Sequence, residues 1–344
     1  DLHSFPTRRS SDLTNATVST LIQNNEAGTL AQTYQTNALL PADDPNFTFF
    51  PSRYLLYSSL LANISHSTYN AAQFELRKRI RNGAQIQASY VFAKALSDAE
   101  ATRGLEAFLD NNNRGIEKAR SPFDLTHAFK LNHYVPLPFG PGRKFNPGHP
   151  ALRRLAEGWA LSGFVLIQSG PPVSFEAGTG TANVGRGTLN RGARSGNNTG
   201  DTSLTLSQLK DITGLYKTGR GVYFVDPKNI HPVTGNAVAP DIDPPFSGQV
   251  FFNPQAGTVG SLQRRLLDGP GFWDYDFSLS KNTAITERHR VEFRADFFNL
   301  FNHPNFFTGD QNINSANFGR ITSVLVSGNG VSNRMIQFGL FYRF

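Results

Sequence analysis

The segment RMIQFGLFYRF, residues 334–344, alternates with a period of two. Ile336, Phe338, Leu340, Tyr342 and Phe344 fall on one side, and Gln337, Gly339 and Arg343 on the other, with Phe341 the one large exception. Successive side chains of a β-strand point to opposite faces, so this pattern predicts a strand with one apolar and one polar face. Eleven residues is close to the ~9–11 with which a tilted strand crosses a bilayer.

The same pattern recurs upstream. In HRVEFRADFFNLF, residues 289–301, Val291, Phe293, Ala295 and Phe297 oppose Glu292, Arg294 and Asp296. In FWDYDFSLSKN, residues 272–282, Trp273, Tyr275, Phe277 and Leu279 oppose Asp274, Asp276, Ser278 and Ser280. TYNAAQFELRKRI, residues 68–80, joins GAQIQASYVFAKAL, residues 83–96, through Asn82-Gly83, a strong hairpin signal. Further strands are expected near 124–136, 157–168 and 318–326. Strands in soluble sandwiches average about 5–6 residues. These are longer, and rows of full charge such as Glu292, Arg294 and Asp296 suit a wet lumen, leaving the apolar rows for lipid. Tyr342, Phe344, Trp273 and Tyr275 lie near strand ends, where interfacial aromatics belong.

Composition narrows the classes. The 344 residues include no Cys, so disulfides and thiolate metal sites are excluded. Net charge is +7, but apart from RKRIR, residues 77–81, the basic residues are scattered, which speaks against nucleic acid. No apolar run approaches the ~18 residues of a membrane helix; a β-barrel leaves no such run. Residues 97–123 and 177–250 read as long polar loops, with a short helix expected in SQLKDITGLY, residues 207–216, capped by Ser207. Residues 14–50 show little pattern.

No catalytic constellation emerges, and no catalytic, cofactor or metal residue is assigned. His289 and His303 are fourteen residues apart, too far along one strand to share a metal. DQNINS, residues 310–315, begins like a calcium loop but has Ser315 at its sixth position and Ile321 where the bidentate Glu belongs. GTGTANVG, residues 178–185, lacks the strand-to-helix setting of a phosphate loop. Asp274 and Asp276 fit a lumen stripe as well as a carboxylate pair. Arg77, Arg79 and Arg81 either form a basic lumen stripe for anionic solutes, or pair with carboxylates such as Glu292 and Asp296, or take an interfacial position near the Asn82-Gly83 turn.

Several stretches resemble the C-terminal barrel of TonB-dependent receptors, in particular the Oar-like branch. They include PFDLTHAFKLNHYVPLPFGPGRKF, GWALSGFVLIQSGPPVSF and, most tellingly, FFNLFNHPNF at residues 297–306 and the closing Phe344. The resemblance covers roughly residues 67–344. It implies an all-β antiparallel transmembrane barrel in the outer membrane of a Gram-negative bacterium. The family's barrel has about twenty-two strands around a plugged lumen, of which roughly eight to ten are expected here. It implies nutrient uptake, with partners in the lipid bilayer, in the TonB complex (through an N-terminal part) and in the barrel-assembly machinery, which reads Phe344. The ligand would be an unidentified small molecule or oligosaccharide.

A non-energised porin or adhesion protein is the alternative, and a soluble carbohydrate-binding β-sandwich a further one. Residues 1–13, DLHSFPTRRSSDL, resemble the codon-for-codon translation of a short-read sequencing adapter. They are therefore read as an artefact joined to a receptor fragment spanning residues 14–344 that lacks plug and TonB box.

Overall fold

Asn82 and Gly83 both take positive φ, 72° and 84°, the backbone a tight hairpin turn requires and that Asn and Gly tolerate best. In the computed structural model they join β1 (Ser67–Arg79) to β2 (Gln85–Ser97), paired in register along their whole length. The structure describes residues 63–344 except 99, 102–103, 106–107, 110–112, 178–197, 240–242, 255–258 and 327–331, together with positions 16 and 19. The adapter-like residues 1–13, most of 14–50 and the GTGTANVG stretch thus lie outside the described residues.

The wall continues through β3 (His127–Pro136), β4 (Trp159–Gln168), β5 (Phe272–Ala284), β6 (Arg290–Phe298) and β7 (Met335–Arg343). Each strand pairs antiparallel with the next in sequence, and the two-residue strand Ala119–Arg120 adds to β2, making an eight-stranded sheet. The described residues of 170–271 contribute no strand between β4 and β5, which pair directly. The segment expected near 318–326 is not a wall strand either: Arg320–Ile321 pairs with Val222 and Tyr223, and Phe318 and Val324 form isolated bridges to Asp310 and Phe306.

Register carries the alternation from strand to strand. Phe277, Phe297 and Ile336 share one row, and Leu279, Ala295 and Phe338 the next. Ser280, Arg294 and Gly339 lie on the opposite face. No second sheet covers the apolar face among the described residues: Phe338 is 68% exposed and Leu340 73%. A sandwich would bury this face, so the sandwich expectation fails here. The polar face pairs its charges, with Arg343 on Glu292 at 2.8 Å, Arg294 on Asp296 at 3.0 Å and Arg77 on Glu75 at 2.6 Å.

The two Trp residues bracket the apolar band. Trp273 lies opposite Ile167, and Lys281, eight residues further along β5, lies opposite Trp159. That length is ~26 Å at ~3.3 Å per residue, and about 20 Å after a ~40° tilt, against an apolar band of ~25 Å. Three Tyr–His pairs on this face match their polar atoms: Tyr90 with His127 at 2.8 Å, Tyr275 with His133 at 2.9 Å and Tyr342 with His289 at 2.6 Å. Pairing removes most of the penalty for leaving them on an apolar surface.

Short connections, 80–84 and 285–289, and the intermediate 137–158 lie at one end, here the turn end. The connections 98–126, 169–271 and 299–334 lie at the other, the loop end. With seven long strands, β1 and β7 run in the same direction, so these edges cannot pair antiparallel with each other; antiparallel closure needs an odd number of further strands.

Midway between the Trp rows, Gly163 lets β3 and β5 side chains close over β4. A Cβ there would sit 2.7 Å from His133 Nε2 and 2.8 Å from the Asp276 carbonyl. Gly163→Ala is expected to lower stability by about 1–3 kcal/mol. Gly148→Ala, where a Cβ meets nothing within 4 Å, should stay within about 0.5 kcal/mol. Urea unfolding midpoints of the two variants in detergent or vesicles check this.

Candidate functional site

At the loop end the connections 169–271 and 299–334, expected to be polar loops, fold together around an apolar core. Val173, Phe175, Leu209, Val225, Phe251, Ile313 and Phe318 are buried in one cluster. The Phe175, Phe251 and Phe318 rings stack at centroid separations of 4.8–6.1 Å, in the favoured range for offset and edge contacts. A hairpin of Thr213–Thr218 and Gly221–Val225 takes Arg320–Ile321 as a third strand, which ties the two connections into one sheet.

A short helix, α2 (Leu206–Asp211), closes the core with Leu209. Its cap is Thr205, not Ser207: Thr205 Oγ1 accepts the Gln208 N–H, and the Gln208 side chain accepts from the Thr205 backbone N–H at 2.9 Å. That capping box satisfies two otherwise orphaned donors, which Ser207, already inside the helix, could not do. The chain then turns into strand Thr213–Thr218. Burial, and after it the nearby Asp226 and Asp211 carboxylates, hold the Tyr216 phenol above its ordinary pKa.

Asparagines join this cap to the wall. In FFNLFNHPNF, Asn299 (φ 47°) and Asn302 (φ 52°) take left-handed backbone, which Asn adopts more readily than other non-glycine residues. Asn299 Nδ2 donates to the carbonyls of His303 and Ser332, its Oδ1 accepts from the His303 N–H, and its own N–H reaches Asp276 Oδ1, all at 2.9–3.1 Å. Asn302 Oδ1 accepts from the Arg334 N–H, and Asn305 Oδ1 from the Trp273 N–H. These amides bind β5, β6 and β7 together where their ladders stop.

A buried polar network makes the second tie, between connection 98–126 and residues 263–268. Asp124 is buried; it accepts the Ala95 N–H at 2.6 Å and the Arg120 guanidinium at 2.7 Å. Arg120 also reaches the half-exposed Asp268 at 2.6 Å. Arg264 meets Glu117 at 3.3 Å with both side chains buried, and Arg265 Nε donates to the Arg120 carbonyl.

On the cap's outer side lies an open groove of about 750 Å³. It is lined by residues 307–312, by Asn317, Arg320, Thr322 and Ser323, and by Glu176. Phe307 presents an exposed ring to it, with Arg320, Asn317, Thr322 and Ser323 alongside. An aromatic platform among hydroxyls, amides and charges of both signs suits a neutral polar solute. DQNINS borders the groove in a structural role. Asp310 accepts from the Asn312 N–H and the Ser315 hydroxyl, Asn312 from the Asn314 N–H, and the Asn314 amide donates to the Ala177 carbonyl and pairs with Asn253. The Asp310 and Asn312 contacts two residues on are Asx turns, and the Asn314 amide holds this turn against residues far away in sequence.

The other residues singled out in the sequence do not converge. His289 stacks on Tyr342 at the turn end, and His303 on Trp273 at the loop end, at opposite ends of β6. Among the described residues no three His, Asp or Glu side chains gather as metal ligands would. Asp274 and Asp276 lie on the polar face, where Asp274 is buried and Asp276 holds Asn299. Arg77 and Arg79 are on the polar face, Lys78 is on the apolar one, and Arg81 lies in the turn. Arg77 takes Glu75, while Glu292 and Asp296 take Arg343 and Arg294.

The two ties should differ in weight from their exposed neighbours. Asp124→Ala removes a buried carboxylate from the Ala95 N–H and leaves the Arg120 guanidinium with Asp268 and Thr126, and should cost about 3 kcal/mol; Asp268→Ala, half in solvent, should cost under about 1 kcal/mol. Limited proteolysis of the loop end, read as the denaturant concentration at which cleavage begins, separates the two.

Comparison with known proteins agrees with this architecture. A search of the curated proteins finds no match. A family model described as an outer membrane beta barrel domain matches residues 12–337, nearly the whole chain. The long alternating strands, the uncovered apolar face and this match together establish that the chain belongs to the outer membrane β-barrel domain family and is placed in the outer membrane.

Proposed function

We propose that the protein acts as an outer-membrane receptor of the TonB-dependent type, close to the Oar-like branch, which captures a polar solute at its loop end for energised uptake. The observation that carries this reading is the folded cap: two connections share one apolar core and present a shaped groove. Pre-formed concave sites of about 300–1,000 Å³ with a few placed polar groups are characteristic of ligand capture. The FFNLFNHPNF junction and the exposed terminal Phe344, a handle for the assembly machinery, support the same assignment. An oligosaccharide is the solute class best matched by an exposed ring among hydroxyls and amides. On this reading the work of the groove is binding and passage.

Energy would enter from the inner membrane through TonB. The gene product, solubilised from outer membranes, should be retained on immobilised TonB periplasmic domain. Failure of retention together with a steady open-channel conductance in planar bilayers would overturn the receptor reading in favour of a porin.

A further inference from the structure

We propose that the connection between β3 and β4, residues 137–158, is an interfacial foot that binds anionic phospholipid headgroups. Its helix, α1 (Pro150–Ala156), is held over the apolar face of the wall. Lys281, on an apolar-face row, donates from Nζ to the carbonyls of Arg154, Leu155 and Glu157 at 2.8–2.9 Å. Trp159, in the same row, donates from Nε1 to the Leu155 carbonyl at 2.9 Å. A cation on the last carbonyls of a helix is a favourable end contact, so the helix is fixed in place and direction.

The foot then exposes what a water-facing segment would hide. Leu152 and Leu155, three positions apart and so on one helix face, are 56% and 66% exposed. Phe145 is 50% exposed and packs on Phe139 at 5.7 Å. These groups continue the apolar band past its Trp159 edge. Apolar surface of this kind, bordered by cations, marks an interfacial segment.

The charge is one-sided. Residues 137–158 carry Arg143, Lys144, Arg153 and Arg154 against the single acid Glu157. Arg143 Nη1 donates to the Asn82 carbonyl at 3.2 Å, which brings this group beside the β1–β2 turn and its RKRIR segment. Two basic segments some sixty residues apart in sequence are therefore neighbours at the turn end. Among the described residues no carboxylate forms an ion pair with Arg143, Lys144 or Arg154. Short turns of outer-membrane barrels face the periplasm, so the surface these cations meet is the phospholipid leaflet. Juxtamembrane basic clusters bind anionic headgroups electrostatically. This role is independent of what the cap binds.

The chain lacks Cys, so Leu155→Cys provides a unique attachment point for an environment-sensitive fluorophore. The full gene product is placed in phosphatidylcholine vesicles containing either brominated phosphatidylglycerol or brominated phosphatidylcholine as quencher. Quenching by the brominated anionic lipid is expected to be about twofold stronger, and the combined R143Q, K144Q and R154Q changes should erase the difference. Equal quenching by both lipids, or a fluorophore that stays in water, overturns the proposal. The comparison of lipids in the protein with its charges intact decides the matter even where the triple variant folds poorly.

Discussion

A strand facing hydrocarbon has no water to satisfy its N–H and C=O groups, so each must pair with a neighbouring strand. Between its two edges the wall meets this by the simplest route: every long strand pairs antiparallel with the one next to it in sequence, from β1 to β7, which leaves the outer edges of β1 and β7 for further strands. Pairing then dictates the faces. Once Ala295 is opposite both Leu279 and Phe338, all three strands must present their apolar sets to the same side, because a slip of one residue would exchange the faces. The aromatic ends and the paired charges follow from that registration. So does the direction of the chain, which sends all three long connections to one end.

Where the ladders stop, the chain needs substitute partners, and side-chain amides provide them. Asn299, Asn302 and Asn305 each carry a donor and an acceptor, and the first two adopt left-handed backbone that most residues resist. They hold the ends of β5, β6 and β7 in place from within a single ten-residue motif. The cap adds an apolar core of its own, and the Arg120–Asp268 and Glu117–Arg264 contacts fasten it to connection 98–126. The groove is thus built on an anchored base rather than on free loops.

The wall was legible in the sequence because period-two alternation is regular in β5, β6 and β7, although β4 carries the unbroken apolar run Phe164–Ile167. The Asn82-Gly83 turn was legible for a related reason, since its chemistry is local. The cap was not. Phe175, Leu209, Phe251 and Phe318 sit among Gly, Asn and Thr without a period, and they meet only after two connections far apart in sequence fold together. Residues 318–326 looked like a wall strand, yet Ile321 instead turns into the cap core beside Val222. The basic foot was hidden in the same way: RKRIR looked isolated until Arg143 was brought to Asn82. The helix cap moved from Ser207 to Thr205 because Gln208 completes a reciprocal box only with the residue three before it.

The account stands on the assignment of one face to lipid and the other to the lumen. Spin labels on single cysteines at each position from 336 to 343, in protein reconstituted into vesicles, test it through their accessibility to oxygen and to a water-soluble nickel complex. Labels at Ile336, Phe338, Leu340 and Tyr342 should favour oxygen, and labels at Gln337, Gly339, Phe341 and Arg343 should favour nickel, in strict alternation. Uniform accessibility along the strand, or the reverse alternation, would contradict the account.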